Sequence, residues 1–146
     1  MSRLLCIIDS VLDTLLHREG NEVKQKFLIC KHCGNIVAVI RDKGAPIYCC
    51  GEEMEELIPG VTEASGEKHI PVYCEDGGTV YVTVGAAEHP MTSEHYIEWI
   101  CLQTENGIQY AHLTPNDKPE AKFYVADGDS VRAVYAFCNL HSLWKK

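Results

Sequence analysis

The chain has 146 residues, enough for one ordinary domain or two small ones and too few for a barrel enzyme. It is 46% hydrophobic and 23% charged, and no apolar run approaches the roughly 18 residues needed to cross a bilayer, so a soluble globular chain is expected and a membrane protein is not. Thirteen Lys and Arg against 21 Asp and Glu give a formal charge of -8, which argues against nucleic acid as a partner; eight Cys and seven His are the departure from ordinary composition.

The first 23 residues read as a separate extension. Leu4, Leu5, Ile8, Val11, Leu12, Leu15 and Leu16 recur at helical spacing, and Asp9 and Asp13 interrupt any signal-peptide core. The spacing predicts a short amphipathic helix ending near Gly20-Asn21. With no export signal read here, the expected compartment is the cytoplasm, where cysteines serve more often as metal ligands or redox groups than as structural bridges.

Residues 24 to 60 carry the strongest short motif. Cys30-Lys31-His32-Cys33 is a chelating turn, with Gly34 relieving the backbone after the second sulfur, and Tyr48-Cys49-Cys50-Gly51 supplies a second pair. Between them the β-prone run Ile36 to Ile40 ends in the turn Arg41-Asp42-Lys43-Gly44. Four thiolates suit zinc or a single iron. A zinc ribbon usually repeats its CxxC, whereas neighbouring residues of an extended chain face opposite ways, so Cys49 and Cys50 reach one ion only through a local distortion. His32 is expected to face solvent, because four sulfurs already complete a tetrahedron.

Beyond Leu57 to Gly60, taken as the domain boundary, residues 61 to 146 alternate apolar and polar. Thr79 to Val84, Ile97 to Leu102 and Val131 to Phe137 read as strands, and Asn106-Gly107 as a hairpin turn. The expected architecture is a small antiparallel sandwich. Candidate ligands cluster at its strand ends: His69 after Glu67-Lys68, His89 in Glu88-His89-Pro90, His95 in Glu94-His95-Tyr96, and the pair Cys138 and His141. Trp99, Tyr135, Phe137 and Trp144 read as packing residues, and Cys101 as a small buried hydrophobe.

The segment Phe27 to Met54, with its adjacent cysteine pair, resembles the desulforedoxin-like domain of desulfoferrodoxins, and the downstream motifs resemble the superoxide reductase centre of desulfoferrodoxins and neelaredoxins. The match runs in order over about residues 24 to 146. It implies a mainly β protein: behind the N-terminal helical extension over 1–23, a rubredoxin-type four-Cys iron domain over 24–60 and an immunoglobulin-like β-sandwich over 61–146. Two irons are implied, one held by Cys30, Cys33, Cys49 and Cys50, the other by equatorial His69, His89, His95 and His141 with axial Cys138. The implied activity is one-electron reduction of superoxide to hydrogen peroxide, with rubredoxin or another small protein as electron donor. Lys68 would draw superoxide in and hold a proton-donating water, Glu67 would cap the oxidised iron, and the family is homodimeric. An iron electron carrier without turnover is the alternative, disfavoured because a carrier needs no open position beside a lysine.

Charge is unevenly divided: residues 61 to 146 hold six basic and twelve acidic groups, for -6. An anionic substrate must therefore be attracted locally, against the sign of the whole domain.

Overall fold

The computed structural model describes residues 24–146. The amphipathic segment of residues 1–23 lies outside them. Among the described residues no helix is long and apolar enough to cross a membrane.

Strand β1 (Lys26–Ile29) is the middle of a three-stranded sheet, between β2 (Ile36–Val39) and β5 (Glu55–Glu56). A separate hairpin pairs β3 (Tyr48–Cys49) with β4 (Glu52–Glu53). A helical turn α1 (Gly66–His69) follows, and then seven strands: β6 (Pro71–Asp76), β7 (Thr79–Val84), β8 (Ile97–Thr104), β9 (Ile108–His112), β10 (Glu120–Tyr124), β11 (Val131–Cys138) and β12 (Ser142–Lys145). They form two antiparallel sheets, ordered β10-β7-β6 and β12-β11-β8-β9. The expected mainly β sandwich is what forms, and Asn106-Gly107 does turn β8 into β9, with Thr104 N–H donating to Gly107 O at 2.9 Å.

Burial explains why β8 and β11 read as almost unbroken apolar runs. Side chains alternate between the faces of a strand, and both faces of this sheet are covered. Val134, Ala136 and Cys138 face inward with Ile97, Ile100 and Leu102 against Val80, Val82, Val84 and Phe123 of the opposite sheet. Ala133, Tyr135 and Phe137 face outward with Trp99 and Cys101, where they meet Phe27 and Leu57. Phe27 is the hinge pin of this second core, its ring centroid 5.2 Å from Trp99 and 5.3 Å from Tyr135. The N-terminal sheet therefore packs on the outer face of the sandwich.

The passage between the two is pinned at both ends. Leu57 N–H donates to Phe27 O and Gly60 N–H to Leu143 O, each at 2.9 Å. Cys101 is a fully buried free thiol, as expected. Cys74 lies within β6, close to the turn at Gly77-Gly78, and is disulfide-bonded.

Candidate metal centres

At the first centre, Cys30 directly follows β1 and the chain turns back at once: Gly34 N–H donates to Cys30 O and Cys30 N–H to Asn35 O, each at 2.9 Å. This carries Cys33 beside Cys30. The adjacent pair reaches the same point because Cys50 adopts a left-handed conformation, φ 53°, followed by Gly51 at φ 83°. The distortion anticipated from two neighbouring cysteines is thus located at the second of them. Cys33 Sγ lies 3.6 Å from Cys49 Sγ, which lies 3.9 Å from Cys50 Sγ. All four sulfurs fall within 4.8 Å of one another, a donor set of the size and softness that holds a tetrahedral thiophilic ion. Backbone N–H groups of Cys33 and His32 aimed at Cys30 pull its thiol down to about 7. Asn35 Nδ2 donates to Cys49 Sγ at 3.7 Å. The His32 side chain is exposed and is not among the four donors.

The second centre lies at one end of the sandwich. His69 ends α1, His89 and His95 stand in the connection from β7 to β8, Cys138 closes β11, and His141 ends the turn into β12. Four imidazoles form a square. Successive ring centroids His69, His89, His95, His141 and back are 4.6, 4.6, 4.8 and 4.8 Å apart, with neighbouring planes 77° to 86° from parallel. Across the diagonal, His69 and His95 are 6.0 Å apart and near parallel. One donor atom each from His69, His89, His95 and Cys138 lies within 4.8 Å of the rest. His141 Nδ1 joins them, 2.9 Å from His69 Nε2 and 3.7 Å from Cys138 Sγ.

The ring orientations carry the chemistry. His69 Nδ1–H donates to Ser65 O and His89 Nδ1–H to Pro90 O, both at 2.7 Å, which fixes the tautomer that leaves each Nε2 a lone pair. Nε2 of His89 and of His95 are buried without a hydrogen-bond partner among the described residues. Buried polar atoms are rarely orphaned, and here two point into the middle of a ring of nitrogen donors, which is the arrangement a bound metal completes. Burial lowers the proton affinity of His69 and His95 and takes His89 down to about 4, so all three are held as neutral bases. Cys138 is fully buried. Burial raises its thiol, while the N–H groups of Leu140 and His141 oppose that shift.

Two features hold this square together: Gly85, which sequence reading missed, and Trp144, which reads from the sequence as a packing residue. Gly85 has φ 85°, and a Cβ there would lie 2.6 Å from Lys68 O; its N–H donates to Ile70 O. Only glycine lets the end of β7 come this close to α1. Trp144 covers the outer face of His69 and donates its indole N–H to His141 O at 3.0 Å. Glu67 and Lys68 are exposed on α1, next to His69. The Lys68 charge is close enough to lower both His69 and His95.

Two family models match, described as desulfoferrodoxin over residues 61–146 and desulfoferrodoxin N-terminal domain over residues 21–57. The chain belongs to the desulfoferrodoxin family. The desulfoferrodoxin of Clostridium acetobutylicum is 42% identical over 118 residues, covering 80% of this chain and 91% of that protein. That of Nitratidesulfovibrio vulgaris is 43% identical over 117 residues, covering 80% and 90%. The crystal structure of the superoxide reductase from Treponema pallidum superposes with a TM-score of 0.72 at 36% identity, covering 84% of this chain and 98% of that one. Both donor clusters fall within the stretches that the two desulfoferrodoxin models match.

Proposed function

We propose that this desulfoferrodoxin is a superoxide reductase, reducing superoxide by one electron and two protons to hydrogen peroxide. The observation that carries this reading is the square of four imidazoles beside a buried cysteine sulfur, with Lys68 close by. Four imidazoles and one thiolate suit iron, and one thiolate leaves a ferrous ion net positive. Iron bound there would supply the electron.

In this reading His69, His89, His95, His141 and Cys138 would together hold the iron, and superoxide would be reduced there. Backbone N–H groups of Leu140 and His141 aimed at the Cys138 sulfur favour its thiolate form, opposing the burial that raises the thiol, and so would support it as a metal ligand. Lys68 attracts the anion and, through water, delivers a proton to the departing peroxide. Glu67, next to it, caps the site between turnovers. Residues 24–60 act as a second iron domain through Cys30, Cys33, Cys49 and Cys50, and residues 61–146 as the catalytic domain. Each turnover consumes an electron, so a rubredoxin or similar small donor is the partner. A cytoplasmic homodimer is the working form.

The test is to add superoxide to prereduced, iron-loaded protein. One centre oxidised per superoxide consumed, with peroxide formed and no oxygen, is the expected result. Oxygen evolution with the iron still reduced would make the protein a dismutase and overturn the reading.

A further inference from the structure

His69 and His89 are each aimed by a hydrogen bond from their own ring to a backbone carbonyl. His95 has no such bond among the hydrogen bonds of the described residues, and its Nε2 is buried and unpartnered. It also stands in the irregular stretch between β7 and β8, where Thr92, Ser93 and Glu94 are exposed. Within that stretch its support is local: His95 N–H donates to Thr92 Oγ1 at 3.1 Å, and Thr92 N–H to His95 O at 2.9 Å.

The long-range support comes from one residue. Asn139, between Cys138 and His141, accepts from Tyr96 N–H on Oδ1 at 2.9 Å and donates from Nδ2 to Glu94 O at 3.0 Å. Its own backbone N–H donates to Tyr96 O at 3.2 Å. The three bonds grip the main chain on both sides of His95. Only a carboxamide offers a donor and an acceptor side by side at this reach, so a residue that reads as an ordinary turn former is chemically specific here.

We infer that Asn139 is the positioning residue for His95, tying that ligand to the turn that carries Cys138 and His141, so that three donors of the second centre move as one unit. The metal sees Asn139 only through His95. This rests on the reading of the second centre as an iron site, and it predicts which of the four imidazoles is lost first when the outer support is cut.

The test uses iron-loaded, full-length protein and follows two signals: the rate at which a chelator strips the second iron, and the position of the thiolate-to-iron absorption band. Asn139→Ala is expected to speed stripping about tenfold or more and to shift the band, as losses of outer-sphere support do. The four-Cys iron is the internal control and stays unchanged. Glu94→Ala removes only the side chain of a residue gripped by its carbonyl, and behaves as wild type. Asn139→Ser keeps a good turn former without the clamp, and behaves as Ala does; if the Ala variant fails to fold, the Ser comparison decides alone. Stripping within twofold of wild type with an unshifted band in Asn139→Ala, or wild-type behaviour of Asn139→Ser, overturns the inference. Failure of the wild-type protein to take up a second iron would instead overturn the functional reading beneath it.

Discussion

Trp144 lies nearly face to face with His69, ring centroids 4.9 Å apart and planes 25° from parallel, while its indole N–H holds the carbonyl of His141. One side chain therefore supports two neighbouring corners of the imidazole square. Trp144→Phe keeps the stacking ring and removes the donor. The expected outcome is retention of the fold and about tenfold faster loss of the second metal to a chelator, with the His141 corner loosened. Equal loss rates for the variant and the wild type would show that the hydrogen bond is dispensable.

Phe27 couples the N-terminal sheet to the sandwich. It is 2% exposed and meets Trp99 and Tyr135 at aromatic contact distance. Truncation to Ala should cost about 3 to 5 kcal/mol, read from the shift in urea unfolding midpoint. A loss under about 1 kcal/mol would show that the two cores do not share stability in the way the packing implies.

The adjacent cysteines make a separate test of the first centre. Cys50 occupies the left-handed conformation that turns its sulfur toward Cys49 and Cys33. Cys50→Ser removes one thiolate and leaves the second centre untouched. Metal analysis should find the four-Cys metal lost or weakly held and the His-Cys metal retained. Simultaneous loss of both would point to a linkage between the centres that the geometry does not contain.

The ligands were legible because metal chemistry constrains them twice, by residue type and by spacing. Cys30 with Cys33, and Cys138 with His141, announce chelating turns. The supporting elements were not legible, for physical reasons. β4 and β5 are pairs of glutamates with poor strand propensity, held only by pairing with β3 and β1. β10 exposes Glu120, Lys122 and Tyr124 and buries only Phe123, so its pattern barely departs from that of a loop. Gly85 and Asn139 act on backbone atoms that become neighbours only after folding; no local pattern records a contact between residue 85 and residue 68.

The buried imidazoles give the metal-free protein a defined pH dependence. His89 takes up its proton near pH 4 in the folded chain and near its ordinary 6.5 when unfolded. Between those values the unfolded chain binds more protons, so this stability is fully present above about pH 6.5 and is lost as the pH falls toward 4. Burial shifts His69 and His95 in the same direction. Urea midpoints of the chelator-treated protein should therefore fall steadily from pH 7 to pH 4, and His89→Gln should flatten that slope. A midpoint independent of pH would mean that His89 is not buried in the metal-free state.

Lys68 poses the sharpest electrostatic question, because the chain carries -8 overall and the substrate proposed for it is an anion. Screening over about 8 Å at physiological ionic strength removes most of the field of distant carboxylates, while a cation beside the imidazole square acts at full strength on whatever approaches. Its influence reaches His69 and His95 already. Lys68→Ala should slow the second-order reaction with superoxide about tenfold and leave metal content unchanged. The salt dependence should change with it: where wild type slows as ionic strength rises, the variant should slow less or speed up, because only the repulsive carboxylates remain to be screened. Pulse radiolysis across a salt series measures both, and an unchanged rate with an unchanged salt slope would remove Lys68 from the path of the substrate.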